Sequence, residues 1–143
     1  MTSIRIDLHS DTQTRPSTEM RDAMARADVG DEQMLEDPSV NKLQDMVADL
    51  LGKQAAVFLP SGTMCNLIAL AVHCRSGDEI LCDRTAHILN TEGAGAAVIS
   101  GAFIWPLDGI NGIFTPDQIK AAMRSGSRNG PVSRMISIEQ TSN

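Results

Sequence analysis

Ala55-Ala56-Val57-Phe58-Leu59-Pro60-Ser61-Gly62-Thr63-Met64 decides the fold. Its first five residues are an apolar run of the length and character of a buried parallel strand. A Gly-containing tetrapeptide follows at once, and residues 64–74 are apolar enough for a buried helix. Strand, turn and helix thus succeed one another without a linker. The alternation continues downstream: residues 79–82 predict a strand, 86–93 a helix opening, 102–106 a strand, 116–123 a helix behind a capping Thr115, and 134–138 a fourth strand. Strands alternating with helices predict an α/β fold with a mostly parallel sheet.

Upstream the pattern is different. Residues 4–14 read as an extended arm that runs into Arg15-Pro16, and Pro16-Ser17-Thr18 opens a helix whose Met20, Ala23, Met24 and Ala27 recur at helical spacing up to Val29-Gly30. Residues 32–36 read as loop. Asp37-Pro38-Ser39 starts a second helix, with Asp37 as cap, Pro38 in the first turn, and Val40, Leu43, Met46, Val47, Leu50 and Leu51 as its apolar stripe. Gly52 is its stop. The chain therefore divides into residues 1–52, an arm and two helices, and residues 53–143, the α/β part.

Composition narrows the function. The 143 residues carry 12 Lys and Arg against 18 Asp and Glu, a net charge of -6, with no basic run and no Tyr; a general nucleic-acid binder is disfavoured. The longest apolar stretch, residues 67–72, is far short of the ~20 residues a membrane helix needs. Arg5 and Asp7 interrupt the start, which lacks the apolar core of a signal peptide, so a cytoplasmic location is expected. Cys65, Cys74 and Cys82 lie in apolar segments without a C-x-x-C pair, which suits reduced, buried thiols better than a disulfide frame or a zinc site.

The residues that carry chemistry cluster at the predicted strand ends. Pro60-Ser61-Gly62-Thr63 joins a strand end to a helix N-terminus, where unpaired N–H groups, the helix dipole and two hydroxyls favour an anion such as a phosphate; the plainer reading is a capped turn. His87 follows Asp83-Arg84-Thr85-Ala86 on the crevice side of an α/β sheet, where it can stack on an aromatic cofactor or move a proton, or else serve as a hydrogen-bonded structural histidine. His73 reads as a satisfied core residue, and Glu92 and Arg84 as surface residues unless the crevice claims them. His9, beside Ser10 and Asp11, is open between roles. Ser10-Asp11-Thr12 lacks a base at nucleophile spacing and reads as turn capping; Asp31, Glu32, Glu36 and Asp37 lack a calcium-loop pattern and read as a solvated loop.

Taken in order, Ile6-Asp7-Leu8-His9-Ser10-Asp11-Thr12, Val29-Gly30-Asp31, Glu36-Asp37-Pro38, Gly52-Lys53, Phe58-Leu59-Pro60-Ser61-Gly62-Thr63-Met64, Gly77-Asp78-Glu79, Ala86-His87-Ile88 and Ile138-Glu139-Gln140-Thr141 resemble the L-threonine aldolase family. That family belongs to the pyridoxal-phosphate enzymes of fold type I, with the aspartate aminotransferases and β-eliminating lyases. The resemblance implies that residues 53–143 are the first part of the cofactor-binding large domain. It implies pyridoxal 5'-phosphate as cofactor, with Ser61, Gly62 and Thr63 in the phosphate cup, His87 stacked on the pyridine ring and acting in proton transfer, and Ser10 on the substrate carboxylate. The reaction implied is cleavage of a β-hydroxy-α-amino acid such as L-threonine or L-allo-threonine to glycine and an aldehyde.

The resemblance also implies what lies elsewhere. Family members are more than about twice as long, and the Schiff-base Lys, the Asp that pairs with the pyridine nitrogen and an Arg for the substrate carboxylate fall in the later part. The 143 residues alone are accordingly expected to be inactive and to need a C-terminal half for stable folding, with later strands lying between those supplied here. A homodimer or homotetramer is implied. Four positions depart from the family's usual residues: His9 stands for Arg, Met34 and Thr91 for Tyr, and Ser142 for His. They motivate two alternatives: β-elimination or cleavage of a bulkier β-hydroxy amino acid on the same fold, and a non-catalytic module that pairs with a Lys-bearing chain.

Overall fold

The structure is a computed structural model and describes Ile6 and residues 9–142. Of the arm expected over residues 4–14, Ile4, Arg5, Asp7 and Leu8 lie outside the described residues; Asp11–Gln13 is a 3-10 turn, not extended chain. The chain forms two compact units, Met1–Phe58 and Leu59–Asn143.

The first unit is helical. Helix α1 (Thr18–Arg26) starts because Ser17 Oγ accepts the N–H of Met20, an otherwise orphaned donor of the first turn. A 3-10 turn, Glu32–Met34, leads to α2 (Pro38–Leu51), whose cap Asp37 accepts from Ser39 and Val40 with one oxygen at 3.0 and 2.9 Å and from Gly30 N–H with the other at 3.2 Å. Those backbone donors, Val40 foremost and then Gly30, hold the Asp37 carboxyl below the ordinary carboxylate range. Gly52 ends α2 at φ +60°, a left-handed conformation that glycine adopts without steric cost. Of the whole helix only Ala48 is buried.

The strand expected over residues 55–59 does not form. Val57 and Phe58 are exposed, and Phe58 donates its N–H to the Gln44 side chain at 2.9 Å. A strand exists only by virtue of a ladder partner, and among the described residues no segment pairs with this run.

The second unit is the expected α/β layer arrangement. Helix α3 (Gly62–His73) precedes β1 (Glu79–Asp83); then come a single turn α4 (His87–Asn90), a π-helical turn (Ala96–Ser100), β2 (Phe103–Leu107), α5 (Pro116–Ala122), β3 (Ser125–Ser127) and β4 (Gly130–Ile136). The sheet order is β2-β1-β4-β3, with β1 parallel to both neighbours and β3 antiparallel to β4, so the sheet is mixed. The three predicted strands that do form are thus direct neighbours, contrary to the expectation of intervening strands. Helix α5 is closed by a full capping box between Thr115 and Gln118. The π-turn and the β3 hairpin arm had no sequence signal in the strand-helix alternation.

Every residue of β1 is buried, as a central parallel strand requires. Ile80 and Cys82 point to one face and join Leu70, Cys74, Ala86, Ile88, Ala96 and Ala102 in the core. Gly95 lets the π-turn lie against α3, since a Cβ there would collide with the Leu67 side chain. Glu79, fully buried, accepts the Ser133 hydroxyl at 2.6 Å and ion-pairs with Arg124 at 3.3 Å, and the Arg124 guanidinium stacks over Trp105 at 4.2 Å. Cys74 and Cys82 are buried as expected, but Cys65 is exposed. His73 is exposed too, so it is no core residue: α3 buries the stripe through Leu70 and Cys74, and Val72 and His73 fall outside it. No described helix is long and apolar enough to cross a membrane.

Candidate active site

In an open parallel sheet, the loops after the strands' carboxyl ends collect at one edge. Here Asp83 closes β1, Gly109 follows β2 and Glu139 follows β4. Asp83 Oδ1 accepts the backbone N–H and the hydroxyl of Thr85 at 2.8 and 2.7 Å, and Oδ2 accepts Gly109 N–H at 3.0 Å. Thr85 N–H foremost, with its hydroxyl and Gly109 N–H, keeps this carboxyl below the ordinary carboxylate range against the opposing effect of burial. A side chain at position 109 would collide with that oxygen and with the Ile113 carbonyl, so the close approach requires glycine. Beside it, Cys82 is pushed up to about 11 by burial, with the carboxylates of Asp83 and Glu139 adding to the effect.

The anchored turn delivers His87. Its backbone N–H donates to Glu139 Oε2 at 2.5 Å, which ties the start of α4 to the segment after β4. Its ring Nδ1 lies 2.7 Å from Glu92 Oε1, and the same oxygen accepts Asn66 Nδ2–H at 2.7 Å. The Glu92 side chain is 1% exposed and that of His87 39%, so a buried carboxylate braces a half-open imidazole. The second Glu92 oxygen is buried without a partner among the described residues.

Asn66 sits on α3 one turn beyond Thr63, so the helix that braces Glu92 also presents its N-terminus. There Ser61 Oγ accepts Met64 N–H at 3.1 Å, and Cys65 N–H bonds the Ser61 carbonyl. The N–H groups of Gly62 and Thr63 precede the intrahelical ladder. Ser61 and Gly62 are exposed, Thr63 is half-buried, and nothing lies within 4 Å of where a Gly62 Cβ would be. Two available N–H donors, two hydroxyls and an open approach fit the phosphate of a cofactor such as pyridoxal phosphate.

Of the residues named from sequence, Ser61, Gly62 and Thr63 therefore share one helix with the residue that reaches Glu92 and, through it, His87. Ser10 belongs to the first unit, where its hydroxyl bonds that of Thr12 at 2.8 Å and accepts Thr12 N–H at 3.3 Å, a local turn cap. Thr91 bonds the His87 carbonyl through its hydroxyl at 3.0 Å, and Met34 is exposed. Ser142 lines an open concavity of about 410 Å³ with Thr85, Gly109, Asn111 and Gly112. The acidic stretch around Asp31 is a capped turn, and the described residues contain no cluster of three or more His, Cys, Asp or Glu side chains placed to hold a metal ion.

Sequence reasoning put Glu92 at the surface unless the crevice claimed it, whereas it is buried, and gave no site role to Asn66, Asp83 or Glu139. Asp83-Arg84-Thr85 after a buried strand is a side-chain-to-backbone turn pattern and could have been found. Glu92 carried no such signal: it lies five residues after His87, across a single helical turn, and only the tertiary position of Asn66 explains its burial.

The architecture has a solved counterpart. The chain matches a threonine aldolase structure from Leishmania major with a TM-score of 0.72 and 20% identity, over 87% of this chain and 37% of that one. By its fold this is an α/β chain of the threonine aldolase type. The sequence goes further: the Beta-eliminating lyase family matches residues 7–143, and the chain belongs to that family. A low specificity L-threonine aldolase of Escherichia coli is 42% identical over 96% of this chain and 42% of its own length. Low-specificity L-threonine aldolase 1 of Arabidopsis thaliana is 40% identical over 95% and 39%. The chain thus spans about two fifths of the length of the curated relatives it matches.

Proposed function

We propose that the chain is part of a pyridoxal-phosphate-dependent carbon-carbon lyase that cleaves a β-hydroxy-α-amino acid, L-threonine or L-allo-threonine, to glycine and an aldehyde. The observation that carries the reading is His87, half-open at the carboxyl edge of the sheet and braced by a buried carboxylate, in a chain of the β-eliminating lyase family. The names of the relatives support the substrate class.

In this reading the N–H groups of Gly62 and Thr63 and the hydroxyls of Ser61 and Thr63 bind the phosphate. His87 covers the pyridine ring and exchanges a proton with the substrate hydroxyl or water through Nε2. Ser10 binds the substrate carboxylate. Bound there, the cofactor supplies a protonated pyridine ring that delocalises the electron pair released at Cα. The lysine that anchors the cofactor comes from outside these 143 residues, residues 53–143 are the first part of the cofactor-binding domain, and the working enzyme is a cytoplasmic homodimer or homotetramer.

Titration of the 15N-labelled full-length protein that contains this chain with pyridoxal phosphate tests the binding step: the amides of Ser61, Gly62, Thr63 and His87 shift, and Gly62→Val abolishes the shifts at the first three. Assay of the enzyme that contains this chain tests the chemistry. Glycine and acetaldehyde from threonine support aldol cleavage, whereas pyruvate and ammonia from serine would replace it by β-elimination, the reaction in the family's name.

A further inference from the structure

Glu92 is a costly side chain to explain as scaffold. A carboxylate 1% exposed, with one oxygen lacking any partner among the described residues, weakens a core unless it does something there. Its other oxygen is engaged twice, by His87 Nδ1 and by Asn66 Nδ2–H, each at 2.7 Å. Asn66 can only donate through that nitrogen, and a carboxylate only accepts. The bond between Glu92 and His87 therefore requires the proton on Nδ1.

We infer that Glu92, held by Asn66, is a positioning residue that keeps the neutral His87 ring in the Nδ1–H form. Nε2, which has no partner among the described residues, is then the basic nitrogen of a ring that is 39% exposed. The backbone tie from His87 to Glu139 fixes where the ring starts, and the Glu92 contact fixes its rotation and tautomer. This is the logic by which a second group orients an imidazole for proton transfer. The catalytic meaning rests on the proposed function; the tautomer does not.

Long-range 1H–15N correlation on the 15N-labelled full-length protein that contains this chain, at a pH where imidazole is neutral, reads the tautomer directly. The His87 signals are assigned by their loss in His87→Gln. The native chain is expected to show Nδ1 as the protonated nitrogen by about tenfold or more, the ratio a charge-assisted hydrogen bond supports. Glu92→Leu removes the acceptor, and the preference falls to a mixture or reverses. Glu92→Gln keeps an acceptor oxygen and restores part of the preference, a rescue that a merely structural role would not produce.

Protonation of Nε2 in the native chain overturns the inference, and this outcome needs no variant to fold. An unchanged tautomer in Glu92→Leu overturns it as well. Addition of pyridoxal phosphate separates the two readings: absence of shifts at Ser61, Gly62 and Thr63 removes the cofactor proposal, while an Nδ1–H preference that depends on Glu92 stands on its own.

Discussion

Helix α2 and strand β1 make opposite use of apolar sequence. The α2 stripe has regular spacing, yet Leu50 is 83% exposed, Leu51 62% and Met46 59%. β1 is five residues long, carries two carboxylates, and is buried throughout. Apolar periodicity states which face can be buried, but burial follows from a second layer. β1 has neighbours on both edges and α3 with the π-turn on one face. Its carboxylates survive inside because each has compensation: Glu79 the Ser133 hydroxyl on one oxygen and the Arg124 charge near the other, which has no hydrogen bond among the described residues, and Asp83 the donors of Thr85 and Gly109.

The contrast can be broken most sharply by thiol chemistry. Cys65 is exposed, whereas Cys82 is buried in β1 with its pKa pushed up to about 11. Mass mapping after alkylation near pH 8 should find Cys65 modified orders of magnitude faster, and comparable rates would mean that β1 is not a closed central strand.

Truncation of side chains comes next. Leu70→Ala, in the core, should cost about 2–5 kcal/mol in urea unfolding. Leu50→Ala on the open stripe should change stability by no more than about 0.5 kcal/mol. A large loss at Leu50 would show that α2 is covered in solution.

Asp83→Ala leaves the N–H donors of Thr85 and Gly109 unpaired and should cost about 1–3 kcal/mol. The sign with pH follows from its lowered pKa: the carboxylate stabilises the fold fully above the unfolded value near ~3.9 and loses that contribution as pH falls through the folded value. Acid unfolding of Asp83→Asn should therefore be shallower over that window than that of the native chain.

The smallest expected effect is at a helix end. Thr115→Ala removes the capping box of α5 at a cost of about 1 kcal/mol, read from the urea midpoint with an unchanged slope.

Much of this was legible locally. Ser17, Asp37, Thr115 and Gly52 bound their helices as their chemistry requires, because a cap acts on its own first or last turn. The strand over residues 55–59 was not legible, because strand formation depends on a partner that the run itself does not encode. In the site, Ser61, Gly62, Thr63 and His87 stood out as residue types at a strand-to-helix junction. Glu92 and Asn66, 26 residues apart, did not, since no periodic pattern connects them.

The sequence by itself determined the capped ends of α1, α2 and α5, the α/β class and the family, all of which rest on local backbone chemistry and on motif order. Only the tertiary structure decided that β1 lies between β2 and β4, that β3 adds an antiparallel edge, and that Glu92 turns inward under His87. Those are contacts between residues far apart in the chain, and their energies depend on which layers meet.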